Sequence, residues 1–504
     1  MGNLTIRNLS ITPLELEQVE RIAPPVPKPA NGFAKITRRF TGQKHNGTPT
    51  ASTVAINTPP SSKQDITEVV VTPFSETVSS IPAPGGSGGD GSPSEIRITF
   101  HEPDTDRRYT ASIPGVPSPR SIVMKSDSGA GDKEFTLIYL PSRAFLAIFS
   151  SAHLHAWMAE LPEHFPLSCL SIPGTHNSPT CHVALPSVRC QAVGVREQLD
   201  NGVRFLDIRV SCPSPPSTAN LSCTNCSSAD TNLALVHSAF PISLSGTKYL
   251  HDLLAEVYDF LDANPSETIL VSLKREGTGK GTDQHLSQCL ATRYFGLVTS
   301  PDNTDMNNAA DAKKRWYTDP RIPTLGEARG RCVLVRRFHL HESLSSGGLG
   351  IDGSSWPDNC ADGTCGSGQI RIQDYYEVGQ SNDIATKITY AQETLSRAAQ
   401  QEFAASATTT GNAEGSSLPF FINFLSGSNF FNASCWPEKI AAKINPAIIE
   451  HLCVDHGAPD KGPGQLTVGD AGTGIVVTDW VGNNGDWDLI RCIVGWNARL
   501  QLKQ

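Results

Sequence analysis

Eight short, nearly continuous apolar runs dominate the last two thirds of the chain: 167–172, 203–209, 233–237, 268–274, 332–338, 370–376, 419–425 and 474–480. Runs of this length without alternation suit parallel strands buried on both faces. Between the third and fourth, Leu250, Leu253, Leu254, Val257 and Leu261 trace one helix face, and Pro265 ends the pattern. Residues 382–403 and 486–501 also read as helices. Eight strands with helical crossovers predict an α/β fold, a (β/α)8 TIM-like barrel. It occupies residues 149–504.

The first third is built differently. Half of residues 22–95 are Pro, Gly, Ser or Thr, with no Leu, Trp, Tyr or Cys. A segment of that composition buries too little apolar area to repay its ordering entropy. On either side lie alternating stretches at 4–9, 95–100, 108–113 and 135–139. Period-two patterning predicts a small β-rich module over residues 1–148, with a long low-complexity loop through it.

With 41 Lys and Arg against 50 Asp and Glu, the net charge of −9 lacks the basic footprint of a nucleic-acid binder. No run is long and apolar enough for a transmembrane segment, and the first residues do not resemble a signal peptide, so a cytoplasmic protein is expected. All 13 cysteines fall between Cys169 and Cys492, an odd number that suits buried free thiols better than a disulfide framework. Cys223 and Cys226 have CxxC spacing, but no second pair follows to complete a zinc site.

The functional signal is where polar residues fall. His176 follows run one, Asp207 and Arg209 end run two, His237 ends run three and Lys274 ends run four. Arg337 closes run five, Asp374 and Tyr376 close run six, and Asp479 lies near the end of run eight. In a parallel barrel the C-terminal strand ends share the face on which active sites are built. Two histidines, carboxylates and three cations on one rim suit an anionic, polyhydroxylated substrate. Arginine's forked donors fit a phosphate whose charge grows in the transition state. Two imidazoles can divide proton abstraction and donation, and a carboxylate behind one of them fixes its tautomer. That chemistry is phosphodiester cleavage by paired general base and acid.

Three segments make this specific: Ser171-Ile-Pro-Gly-Thr-His-Asn-Ser178, Gln198-Leu-Asp-Asn-Gly-Val-Arg-Phe-Leu-Asp-Ile-Arg209 and Leu235-Val-His237. In this order they resemble the X domain of bacterial-type phosphatidylinositol-specific phospholipases C. The resemblance covers about residues 165–500 and is strongest over 168–275. It implies a distorted TIM barrel acting on phospholipid at a membrane surface, through a cyclic inositol phosphate and without a cofactor. It implies His176 as general base with Asp479 as its carboxylate partner, His237 as general acid, and Arg209 on the phosphate. Asn177 and Asp207 complete the catalytic group, while Lys274, Arg337, Asp374 and Tyr376 line the inositol pocket. The Arg337 assignment competes with the adjacent Arg336.

One departure stands out. The bacterial motif has Asp after the first histidine, paired with the general acid, where this chain has Asn177. Calcium-dependent relatives carry Asn there as a ligand, but they need acidic residues where this chain has Arg209. The expectation is a metal-independent site in which the general acid is less supported. Two rival readings stay open: an inositol-phosphate or membrane-recognition module without turnover, and a related phosphodiesterase with another headgroup. The remaining features have plain readings. His339 and His341 are surface histidines, and Glu276-Gly-Thr-Gly-Lys-Gly281 does not meet the P-loop pattern. The sequons at Asn3, Asn46, Asn220 and Asn432 are chance matches. Phe430 and Phe431 lie past a strand end, where they could dip into a bilayer or be covered by the N-terminal module.

Overall fold

The computed structural model describes residues 2–22, 60, 62–66, 69–84, 95–114, 121–127, 133–213, 233–297, 306–403, 418–458 and 468–503. The Cys223–Cys226 pair, Asn46, Asn220 and most of the low-complexity segment lie outside them. The chain divides into two compact units, Met1–Ser151 and Ala152–Gln504.

The first unit is all β: β1 (Asn3–Leu9), β2 (Leu14–Ile22), β3 (Ser62–Asp65), β4 (Val70–Val71), β5 (Ser75–Pro82), β6 (Glu95–His101), β7 (Arg108–Ile113), β8 (Ile122–Ser126), β9 (Phe135–Leu140) and β10 (Phe145–Ser150). Its strand order is β3-β2-β6-β7-β8-β9-β10-β1-β5, antiparallel except where β1 pairs β10 in parallel. Alternation decides which face is buried. Ile96, Ile98 and Phe100 of β6 and Tyr109, Ala111 and Ile113 of β7 point into one core, with polar residues between them. The expected long loop is interrupted: β5 pairs β1, and Val71 and Ile81 enter the core. The stretch 69–81 supplies enough β-branched residues in alternation to overcome the composition around it.

The second unit contains β11 (Ile172–Thr175), β12 (Phe205–Ser211), β13 (Ala234–His237), β14 (Phe240–Pro241), β15 (Ile269–Arg275), β16 (Trp316–Tyr317), β17 (Cys332–Arg337), β18 (Ile351–Asp352), β19 (Gly363–Cys365), β20 (Ile370–Gln373), β21 (Phe420–Phe424) and β22 (Ile475–Thr478). A parallel path β17-β15-β12-β11-β22-β21-β20 forms its spine, a curled sheet rather than a closed ring of eight. Two expectations are corrected here. Run three is no parallel stave: β13 pairs β12 antiparallel, with Val210 opposite Leu235, and turns into β14 as a hairpin. Run one contributes only Ile172 to a strand, the four-residue β11 lying mostly past it, because Leu167–Cys169 make a 3-10 turn after Pro166. Gly174 in β11 lets the strands approach closely: a Cβ there would stand 3.0 Å from Phe205 Cβ and force Phe205 to shift.

The helix at Leu250–Ala263 buries Leu250, Leu253, Leu254, Val257, Phe260 and Leu261 and stops before Pro265. Burying each such side chain stabilises the fold by roughly 1.5–3 kcal/mol. The helix at Asp383–Ala399 packs on β20 and β21 and that at Asp488–Gly495 on β11, while Pro437–Val454 packs against both helices. No helix among the described residues is long and apolar enough to cross a membrane.

Candidate active site

A parallel strand presents successive side chains to opposite faces, so residues two apart share a face. That rule places Asp207 with Arg209 in β12, and Lys274 with Glu276 at the end of β15. It also separates Arg336 from Arg337 in β17. Arg336 turns to the carbonyls of Leu349 and Phe338 and to Asp352, whereas Arg337 lies with its guanidinium 3.9 Å above the Trp356 ring. The structure therefore brings His176, Arg209, His237, Lys274, Arg337, Asp374 and Tyr376 to the wall of one cavity of about 700 Å³.

The two histidines face each other, ring centroids 5.7 Å apart and nearly perpendicular. His176 follows β11, and its Nδ1 stands 3.0 Å from Asp479 Oδ1 at the end of β22. Parallel pairing of those strands, Thr175 opposite Thr478, brings the two together across 303 residues. Burial alone would lower the His176 pKa, but the Asp479 carboxylate and the Cys190 thiol outweigh it and hold the ring well above its ordinary value. Asp479 thus favours the imidazolium form of His176. Gln191 braces the pair by donating to the carbonyls of His176 and Thr478. His237, at the end of the β13 hairpin strand, has its Nδ1 2.9 Å from the Val188 carbonyl and 3.6 Å from Cys190 Sγ.

Beneath the histidines lies a lattice of charge. Asp207, fully buried, accepts from Nε and Nη2 of Arg209 at 3.2 and 3.0 Å and from the Asn177 backbone N–H at 3.0 Å; Arg337 Nη1 adds a contact at 3.5 Å. Burial would raise its pKa, yet Arg209 and Arg337 hold it far below the carboxylate range. Glu276 accepts from Arg209, Lys274 and the Ser238 backbone N–H, and the two cations overcome burial to hold it down at about 2. The Arg209 guanidinium is therefore clamped between two carboxylates. Trp356 Nε1 donates to Asp374, and Tyr376 donates to Asp358.

Asp479, Asp207 and Asn177 are not on the cavity wall; they stand behind the residues that are. Asn177, in the left-handed region at φ 41°, is fully buried with neither amide atom hydrogen-bonded. The expected partner role toward His237 is not seen: the groups that touch His237 Nδ1 are the Val188 carbonyl and the Cys190 thiol. Three neighbours were missed from the sequence. Glu276 was legible in principle, two residues from Lys274 on the same face. Trp356 and Cys190 come from loops and carry no motif. His341, by contrast, caps the short helix at Glu342–Ser345.

Residues 164–338 match the family model described as phosphatidylinositol-specific phospholipase C, X domain. Over this segment the chain is similar to that family. Among its relatives, the 1-phosphatidylinositol phosphodiesterase of Listeria monocytogenes is 29% identical over 203 residues, covering 39% of this chain and 53% of that protein. The enzyme of the same name from Staphylococcus aureus is 26% identical over 341 residues, covering 65% and 88%. A human PI-PLC X domain-containing protein 1 is 28% identical over 177 residues, 29% of this chain and 49% of its own. The chain thus spans about half the length of the Listeria relative and most of the Staphylococcus one. A solved structure of the S. aureus phosphatidylinositol-specific phospholipase C overlays 68% of this chain and 97% of its own at a TM-score of 0.46 and 22% identity. The cavity draws on residues inside this segment, the two histidines and Arg209 among them, and on others beyond it, such as Asp374 and Tyr376.

Proposed function

We propose that the chain is a phosphodiesterase that cleaves phosphatidylinositol-type lipids, its curled sheet a distorted (β/α)8 barrel of TIM type opened at one side. The observation that carries this is the pair of perpendicular imidazoles 5.7 Å apart, one backed by a carboxylate, above a clamped arginine. With Nδ1 engaged by Asp479, His176 uses Nε2 to take the proton of the inositol 2-hydroxyl. The oxygen attacks the adjacent phosphorus, and Arg209 meets the charge that grows on the phosphate oxygens. His237 gives a proton to the departing diacylglycerol oxygen as its bond to phosphorus breaks, leaving a cyclic inositol phosphate. The nucleophile is tethered beside the phosphorus, so little orientational entropy opposes the step. Lys274, Arg337, Asp374 and Tyr376 supply donors and acceptors for the ring hydroxyls.

The substrate reaches this cavity from a lipid surface past an apolar edge. Phe430 and Phe431 line the cavity and are 44% and 94% exposed, with Phe430 stacked on Phe240. Val183 and Leu244, joined by a backbone hydrogen bond, are exposed as well. Side chains of this kind partition into a bilayer interface.

The test is incubation of the purified chain with phosphatidylinositol vesicles, following cyclic inositol phosphate by phosphorus NMR. Its appearance supports the reading; vesicle binding without release would make the chain a recognition module. Activity is expected to survive EDTA, because Asp207 and Glu276 are already paired with Arg209, Arg337 and Lys274. Loss on chelation and recovery with calcium would overturn the metal-free mechanism.

A further inference from the structure

Cys190 has no part in that proton transfer, yet it stands between the two groups that do. Its sulfur lies 3.6 Å from His237 Nδ1, and one ligand atom from each of His176, Cys190 and His237 falls within 4.8 Å of the others. We propose that these three side chains form an inhibitory site for a thiophilic divalent cation of the zinc type.

The dimensions suit that ion. Zinc bonds sulfur at about 2.3 Å and imidazole nitrogen at about 2.0 Å, so a tetrahedral site sets the two ligand atoms about 3.5 Å apart. The ligand set also selects for softness, since thiolate with imidazole favours zinc, whereas calcium and magnesium prefer oxygen. The Asp479–His176 contact is already the carboxylate–imidazole support that orients a metal-binding histidine, and it leaves Nε2 as the ligating atom. His237 ligating through Nε2 keeps its Val188 contact, and through Nδ1 gives it up. The thiol itself is fully buried, but both histidines line the cavity, so the ion enters from there and its fourth position faces the cavity. Binding releases the Cys190 thiol proton to solvent and forms the sulfur–metal bond.

Occupancy takes the lone pair that His176 needs as a base and fixes His237 away from the leaving oxygen. Inhibition therefore rests on the proposed phosphodiesterase mechanism, whereas metal binding does not. The first measurement is titration of the metal-free full chain with cobalt(II). One equivalent is expected to produce sulfur-to-cobalt charge-transfer absorption in the near ultraviolet, displaced by zinc. Cys190→Ser is expected to abolish that absorption, and His237→Gln, which keeps the thiol, to weaken cobalt binding at least tenfold. The second measurement is cleavage of phosphatidylinositol vesicles. Stoichiometric zinc is expected to slow it at least tenfold, with recovery on EDTA, and Cys190→Ser is expected to need at least tenfold more zinc for the same loss. An absorption band that survives in both variants places the metal elsewhere and overturns the site. Cys190-dependent cobalt absorption in a chain that releases no cyclic product would keep the site and remove the phosphodiesterase reading.

Discussion

His176 follows a strand buried on both faces, and a carboxylate holds its Nδ1. His237 ends a four-residue hairpin strand, and its Nδ1 meets a main-chain carbonyl and a thiol. The same side chain is thus placed twice, once by a carboxylate and once by a main-chain carbonyl and a thiol. The difference maps onto what each ring must do. A base gains from a partner that stabilises the imidazolium it becomes, as Asp479 does for His176. An acid must release its proton, and a main-chain carbonyl orients the ring without adding a carboxylate's charge. On the proposed mechanism the unsymmetrical cleft is a directional one, with abstraction on the β11–β22 side and donation on the hairpin side.

The largest expected effects come from breaking either side. His176→Ala and His237→Ala should each cost about 10²–10⁴-fold in turnover while leaving the thermal unfolding midpoint close to that of the parent. Near-normal turnover in either variant would remove that residue from the mechanism. Arg209 serves both sides, so Arg209→Lys tests what they share. A point charge cannot reproduce the fork that spans Asp207 and Glu276, and a loss of about 10²-fold in kcat is expected.

How much of this asymmetry was legible in the sequence depended on phase and direction. Arg204 and Arg209 lie in one apolar run, yet Arg204 is fully buried against Glu267 and four backbone carbonyls, whereas Arg209 reaches the cavity. Position at the C-terminal strand end told them apart, because that end carries the site. Arg336 and Arg337 could not be told apart, since a strand must turn one of two neighbours inward and composition does not say which. The direction of the run at 233–237 was hidden for a similar reason: four apolar residues pair equally well either way. The parallel reading nevertheless put His237 at the correct end, because the hairpin folds back along the tip of β12. Cys190 gave no signal among 13 cysteines, as its partners arrive from distant segments.

A smaller effect concerns the brace between the two sides. Arg209 and Lys274 hold the Glu276 carboxyl down at about 2, below its unfolded value of about 4.3. A depressed carboxyl contributes stability that is present above the unfolded value and lost as pH falls through the folded one. Glu276→Gln should therefore flatten the decline of the unfolding midpoint between about pH 4 and pH 2, and raise KM a few-fold by loosening Lys274. An unchanged acid profile would show that these ion pairs do not contribute to stability.

The finest test gives the hairpin side the charge it lacks. Asn177 immediately follows His176, whose ring is 5.7 Å from that of His237, and its buried amide has no partner to lose. Asn177→Asp is nearly isosteric and adds a negative charge that acts through space on both rings, with or without a hydrogen bond. A protonated donor is stabilised by such a charge, so the alkaline limb of the pH–rate profile should move upward and turnover at high pH should rise several-fold. The same carboxylate is buried beside Asp207, which accepts the residue's own backbone N–H, and this like-charge contact should lower the unfolding midpoint by a few degrees. Depressed turnover at every pH would mean instead that the new carboxylate had drawn Arg209 from the phosphate. A variant inert in rate, pH profile and midpoint would place residue 177 outside the electrostatics of the cleft. The contrast between its two sides would then rest on Asp479 alone.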